Sequence, residues 1–298
     1  SNQSQEGQVM SSSKVQRRHF VAGIAGASIL TSAANAVNAR KTLSPLDPIA
    51  DLPMAYRKLR YTMGDGLVMW WFQGMKYGQR DAKFQPMYGV ETCNWNRVKQ
   101  LPAGGFSVTV LECAFYTDLS TGKVLRRLDN PYTGRAVDIP YAVVGPVTAK
   151  YDAKSNLIPL TEIGGSRIQM NATSGPMNVL GDTLWMKTRN DFQIFPKSGG
   201  AERQVNEWAT YVADVGEIAD PAVTSILATV DLVEVTTWPK WLDMAGQPGA
   251  MMGQISGQKV SRFEDMPQGF RRRLAEVFPA VAKDPVAALD RPEAKLIH

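Results

Sequence analysis

The chain of 298 residues is 44% hydrophobic and 20% charged, the composition of a globular domain able to bury a sizeable core. Its two histidines are His19 and His298, which argues against serine or cysteine hydrolysis with a histidine base and against zinc held by imidazole. The formal charge of +5 is scattered and partly lies in the first residues, without the basic, aromatic-interleaved stripe that nucleic acid requires.

Residues 1–9 read as a cloning scar ahead of Met10. Lys14 and Arg17-Arg18-His19-Phe20-Val21 precede a mild apolar stretch ending at Leu30, then two small-x-small sites, Ala34-Asn35-Ala36 and Val37-Asn38-Ala39. A positive start, a short apolar run and small-residue sites make residues 10–39 a secretory leader of twin-arginine type. The bland alternative is a basic cytosolic arm. The apolar run is too short for an ordinary membrane span. The expectation is a protein exported to the periplasm, cut after Ala36 or Ala39, with no stable membrane insertion afterwards.

Residues 40–298 read as one domain, because no linker and no internal repeat divides them. A helix is expected over residues 48–62, with Asp47 as N-cap and Pro48 in the first turn. Strand-like runs follow at 67–77, 84–98, 106–118, 123–128, 141–151, 167–171, 183–188, 192–195, 204–215, 229–238 and, more weakly, 254–260. Turn signals such as Pro102-Ala103-Gly104-Gly105 and Ser120-Thr121-Gly122-Lys123 separate most of them. A last helix is expected over 267–282, with Phe270, Leu274, Phe278 and Val281 on one stripe. Arg271-Arg272-Arg273 on that helix reads as a solvated face. So many short strands at hairpin spacing predict a mainly β fold: an antiparallel meander closing into a barrel-like domain with helices at its ends.

The hairpin of residues 84–98 and 106–118 carries the densest chemistry. Alternation places Val108, Val110, Glu112, Ala114 and Tyr116 on one face. In an even-with-even register, Tyr88, Val90, Thr92, Asn94 and Asn96 lie beside them. Glu112 then sits among apolar neighbours, where desolvation raises a carboxyl pKa toward the range useful for acid or base work without histidine. Glu112 and Tyr116 are therefore the catalytic candidates, with Tyr88, Asn94 and Asn96 as substrate-binding candidates. The bland alternative puts Glu112 on an outer wall, solvated or paired with a lysine or arginine. The opposite face gives Cys93 and Cys113 matching parity, which allows a disulfide or two buried thiols. Without a histidine neither is a good nucleophile.

In Asp129-Asn130-Pro131-Tyr132-Thr133-Gly134-Arg135 the backbone turn accounts for Asn130, Pro131 and Gly134. Tyr132 and Arg135 are left over, either to hold a phenolate or carboxylate at a rim or to stack at the surface. Trp185 shares a strand face with Lys187 and Arg189, and Glu207 shares one with Ala209 and Tyr211. Either group could line a pocket wall, and Trp185 joins the substrate-binding candidates. Asp231 and Glu234 fall on opposite faces and cannot form a pair.

The twin-arginine leader, the tryptophan-rich β body and the Asp129–Arg135 turn followed by Val137-Asp138-Ile139-Pro140 resemble the DUF1838 family over about residues 45 to 280. This is a family of exported bacterial and some fungal proteins named for its unknown function. The resemblance implies a β-rich single domain and work on lignin-like aromatic dimers, including loss of formaldehyde without a cofactor. It carries over no catalytic residue.

Two functional readings result. The first is a cofactor-independent lyase acting on a small phenolic or aromatic alcohol, with Glu, Tyr and Arg as acid, base and phenolate stabiliser and with no metal. The second is a non-catalytic periplasmic protein that binds an aromatic or apolar small molecule. A carboxylate-held Mg, Ca or Mn ion is a third, although no D-x-D-x-D loop appears. No P-loop, G-x-G-x-x-G or C-x-x-C points to a cofactor. The expected partner is a small aromatic molecule in either leading reading, and the oligomeric state is open. An inward glutamate with a raised pKa beside a tyrosine or arginine favours the lyase, whereas a wholly apolar pocket favours binding.

Overall fold

The computed structural model describes residues 45–291 apart from 198, 200 and 201. The leader, its cleavage sites and both histidines lie outside the described residues. Strands β1 (Gly66–Arg80), β2 (Lys83–Gln100) and β3 (Phe106–Thr117) are followed by the short β4 (Arg127–Asp129) and β5 (Ala136–Asp138). Next come β6 (Ala142–Tyr151), β7 (Leu157–Ile158), β8 (Glu162–Ile163), β9 (Ser166–Leu180), β10 (Thr183–Phe195), β11 (Arg203–Asp214), β12 (Thr229–Thr236) and β13 (Ala250–Val260). The helices are α1 (Leu52–Arg60), α2 (Val215–Ala219), α3 (Gln268–Val277), α4 (Pro279–Lys283) and α5 (Pro285–Ala288).

Among the described residues, eleven strands form one antiparallel sheet in the order β7-β6-β3-β2-β1-β13-β12-β11-β10-β9-β8, while β4 and β5 pair separately. One meander runs outward from β1, a second runs inward to β13, and pairing of β1 with β13 joins them. The sheet curls into a half-barrel, the expected outcome for many strands with a right-handed twist. Its two edges are the two-residue strands β7 and β8, too short to template another chain.

The even-with-even register is the one observed, with Glu112 opposite Asn94 and Cys93 opposite Cys113. Both cysteines are free thiols in the interior. On the convex side Cys93, Trp95, Leu111, Cys113 and Phe115 lie beneath Phe270, Leu274 and Val281. The single helix expected at 267–282 is two helices that meet at Phe278, because Pro279 lacks the N–H needed to continue the first. Arg273 is no solvated side chain: its guanidinium donates to both Glu91 carboxylate oxygens at 2.6 Å and ties α3 to β2.

At one end of the concave side α1 forms a plug, burying Ala55, Tyr56 and Leu59 with Val68, Val98, Phe106, Tyr151 and Met186. Lys259 Nζ donates to the carbonyls of Lys58, Leu59 and Tyr61 at 2.9, 3.2 and 2.6 Å, satisfying carbonyls that a helix end leaves open. The helix starts later than expected because residues before it form a turn, in which the Asp47 carboxylate accepts the Ile49 and Ala50 amides. At the opposite end Leu128, Val137 and Ile139 join Met87, Tyr88, Leu242, Met244 and Met251 in a second apolar cluster.

The run at 123–128 is not a full strand: Val124 makes one bridge to Thr117, and pairing resumes at Arg127. The runs at 183–188 and 192–195 are one strand, β10, whose polar centre is held in place by pairing with both β9 and β11.

Candidate active site on the concave face

Registers place Lys76, Asn94, Glu112, Asn190, Glu207 and Glu234 on the same face as Trp70, Phe72 and Tyr211. That face lines the concave side of the half-barrel. Between the two apolar ends it turns polar.

Lys76 and Glu234 lie on strands separated by β13, yet they form an ion pair across it. Gly253 makes this contact feasible. A Cβ there would fall 2.8 Å from Glu234 Cγ and 3.1 Å from Lys76 Nζ. The Glu112 carboxylate accepts from Asn94 Nδ2 at 3.2 Å, and the Glu207 carboxylate accepts from Asn190 Nδ2 at 3.3 Å.

The two carboxyls are unequal in charge environment. Burial raises Glu112 above its ordinary range, and the negative charge of Glu207 raises it further, against weaker opposition from Asn94, Lys76 and Arg203. Burial also raises Glu207, but Asn190, Arg60, Lys76 and Arg203 all pull it back. Burial, aided by the Arg203 charge, lowers Lys76 to about 7, with Glu207 and Glu112 acting in the other direction.

Beside this cluster lies a cavity of about 330 Å³. Tyr116, Tyr141, Trp238 and Trp241 give it aromatic walls, and Arg203 supplies a positive charge. The Tyr116 and Trp241 rings stack at 6.0 Å, with Tyr88 packed against both. Arg203 has no carboxylate within ion-pair distance among the described residues, and the buried Tyr141 hydroxyl has no hydrogen-bond partner there. A ring could be held by the walls while the guanidinium meets an oxygen anion. Arg203 and Tyr116 both line the cavity and both act electrostatically on Glu112 or are acted on by it.

The expected site residues divide sharply. Glu112, Asn94, Tyr116 and Tyr88 come together on the concave side, although Tyr88 is buried and its hydroxyl donates to Met251 Sδ at 3.3 Å. Burial keeps the Tyr116 hydroxyl protonated, so it is a hydrogen-bond donor rather than a base. Asn96 shares the face but is buried, with its amide donating to the Val68 carbonyl at 3.3 Å. Tyr132 packs its ring on Trp238 at 5.4 Å, behind the cavity wall. Arg135 is outside the cluster and pairs with Asp243 at 2.7 Å. Trp185 lies on the other face of β10 from Met186 and Asn190, away from the cavity.

Lys76, Arg203, Trp238 and Trp241 were not singled out by the sequence. Lys76 had one signal, a cation at the parity of Trp70 and Phe72 in an apolar strand. Arg203 had none, since it is the first residue of β11, just outside the run expected from 204.

Residues 65–297 match the family model described as "Protein of unknown function (DUF1838)". No curated protein matches the chain.

Proposed function

The chain belongs to the DUF1838 family, and we propose that this member is a cofactor-independent lyase that removes formaldehyde from a small phenolic alcohol. The observation that carries the reading is the pair of inward carboxyls, Glu112 and Glu207, both raised by burial but with different charged neighbours, beside an aromatic cavity that Arg203 also lines. A wholly apolar pocket would favour simple binding, and this one is not apolar.

The phenol ring occupies the space between Trp238, Trp241 and Tyr116, with its oxygen toward Arg203. Glu112 is the acid, because Glu207 keeps its proton on. It protonates the benzylic oxygen as that C–O bond breaks, and the phenolate electrons flow in to give a quinone methide. Arg203 stabilises the phenolate that supplies them. Glu207 is also raised by burial, but Asn190 and three cations oppose that rise, and it is the base. It takes the hydroxyl proton of the neighbouring hydroxymethyl group. The carbon–carbon bond then breaks, formaldehyde leaves, and its bonding pair forms the side-chain double bond as the ring regains aromaticity. The expected leader would put this reaction in the periplasm.

The test is incubation with phenolic lignin-type dimers that carry a benzylic ether and a hydroxymethyl group, with formaldehyde assayed with and without chelator. Chelator-resistant release supports the reading. Binding of such dimers without any release would sink it in favour of the binding protein, and release abolished by chelator would replace it with a metal-dependent reaction.

A further inference from the structure

We propose that the β4–β5 hairpin is a clasp for the aromatic cavity: Asn130 and Tyr132 are positioning residues that hold the tryptophan-bearing segment 237–249 in place as its wall. The inference rests on the reading of that cavity as the ligand site, but not on the lyase step.

Most of the cavity lining comes from residues 237–249, with Trp238, Trp241 and Met244 among them. This segment leaves the sheet where β12–β13 pairing stops at Thr236 and Met251, so no ladder holds it. Its own hydrogen bonds are local. The Leu242, Asp243 and Gln247 amides donate to carbonyls three residues back, and the Trp238 indole donates to the Pro248 carbonyl at 3.3 Å. A connection of this length keeps one shape only when something outside it ties it down.

The hairpin supplies the tie. β4 and β5 pair with each other and add nothing to the main sheet. Leu128, Val137 and Ile139 instead share one apolar cluster with Leu242 and Met244, which are almost fully buried. Asn130 is 1% exposed and uses both ends of its amide. Its Oδ1 accepts the Tyr132 N–H at 2.9 Å, which shapes the turn, while its Nδ2 donates to the Leu242 carbonyl at 2.7 Å. The Tyr132 ring packs edge-on against Trp238 at 5.4 Å. It also lies against β1 at Gly78, where any Cβ would overlap the ring. Trp238 is therefore backed by a ring that the sheet itself braces. Arg135 adds an exposed ion pair to Asp243, a kind of contact that contributes little, so Asn130 and Tyr132 carry the clasp. A ligand entering between tryptophans already in place does not have to order them, whereas an untied segment would be ordered at the expense of affinity.

Two measurements on the full chain test this. One is limited digestion of the ligand-free protein with trypsin, following cleavage after Lys240, which lies in the segment. The other is calorimetric titration with 4-nitrophenol at about pH 8, where the probe is a phenolate. Wild type should resist cleavage after Lys240. Tyr132→Ala, and Asn130→Asp, which keeps the turn acceptor but loses the donor to Leu242, should be cut there about tenfold faster and bind the probe about tenfold more weakly. Tyr132→Phe keeps the ring and should match wild type in both. Folded Tyr132→Ala and Asn130→Asp with wild-type affinity overturn the proposal, whether or not the Lys240 site has opened. Wild-type protein cut first after Lys240 overturns it without any variant. Wild-type protein that binds no phenolate removes the cavity reading instead, and the cleavage comparison then decides the clasp alone.

Discussion

Glu112 is costly to the fold and central to the proposed chemistry for one reason: it is a carboxyl kept from water beside another carboxyl. Folding raises its pKa, so the folded state prefers the protonated form. The sign follows directly: stability from this group is full below its ordinary value of 4.5 and falls as pH rises through the raised value. Glu112→Gln removes that dependence while retaining an acceptor for Asn94. Thermal unfolding at pH 8 should show Glu112→Gln at or above wild type, by about 2–4 °C if relief is about 1 kcal/mol. Its turnover should fall by about 10²–10⁴-fold. Wild-type turnover should also fall as pH rises through the raised Glu112 value, a loss absent from the residual rate of the variant. Equal turnover in the two proteins removes Glu112 from the mechanism. The two arginines make a second contrast. Arg203→Ala should weaken binding of a phenolate ligand by about 10- to 150-fold, equivalent to about 1.5–3 kcal/mol for a charge-assisted bond. Arg135→Ala, with its partner Asp243 outside the cavity, should leave affinity unchanged, and calorimetric titration of both variants checks the assignment. Glu112, Asn94, Tyr116 and Tyr88 were legible because strand alternation settles which residues share a face. Arg135 pairs with Asp243 outside the cavity, a placement the turn could not show, because a turn reveals which side chains are free of backbone duty and not what they meet.

At the scale of elements, the central event is contact over a strand rather than between neighbours. Lys76 and Glu234 meet because β13 offers glycine at position 253. Gly253→Ala should force the pair apart and cost about 1–3 kcal/mol in denaturant unfolding, the usual penalty of overpacking. A variant with unchanged stability would mean that the pair has room to move aside. No pairwise reading of strands could find this contact, because it depends on the curl of three strands at once. Strand identity was easier, since β1, β2, β3 and β11 are rich in apolar and aromatic residues. The centre of β10, Arg189-Asn190-Asp191, reads as a break, but hydrogen bonds to both neighbours keep it extended. Phe278 shows the converse: periodicity continues through it, but Pro279 ends the helical hydrogen bonding.

For the whole molecule, the C-terminal helices matter as much as the sheet. They cover Trp95, Phe115 and both cysteines on the convex side. Truncation after Val260 should therefore expose a large apolar face and give an aggregated or dye-binding product, with the concave site lost despite retaining all its residues. A soluble truncated chain with native unfolding behaviour would show that the sheet is self-sufficient. By itself the sequence determined the chemistry on offer, with no histidine among the described residues, and the antiparallel β class, because composition and period-two patterning act locally along the chain. It also determined the register that placed Glu112 beside Asn94, since a slip by one residue would reverse every side chain in the hairpin. Only the tertiary structure decided which side of the sheet became the concave side, that Glu207 and Lys76 approach Glu112, and that Arg203 rather than Arg135 lines the cavity. Those relations arise from curl and from helices docking on one face, and side chains far apart in sequence acquire a common electrostatic environment only when the sheet bends them toward one another.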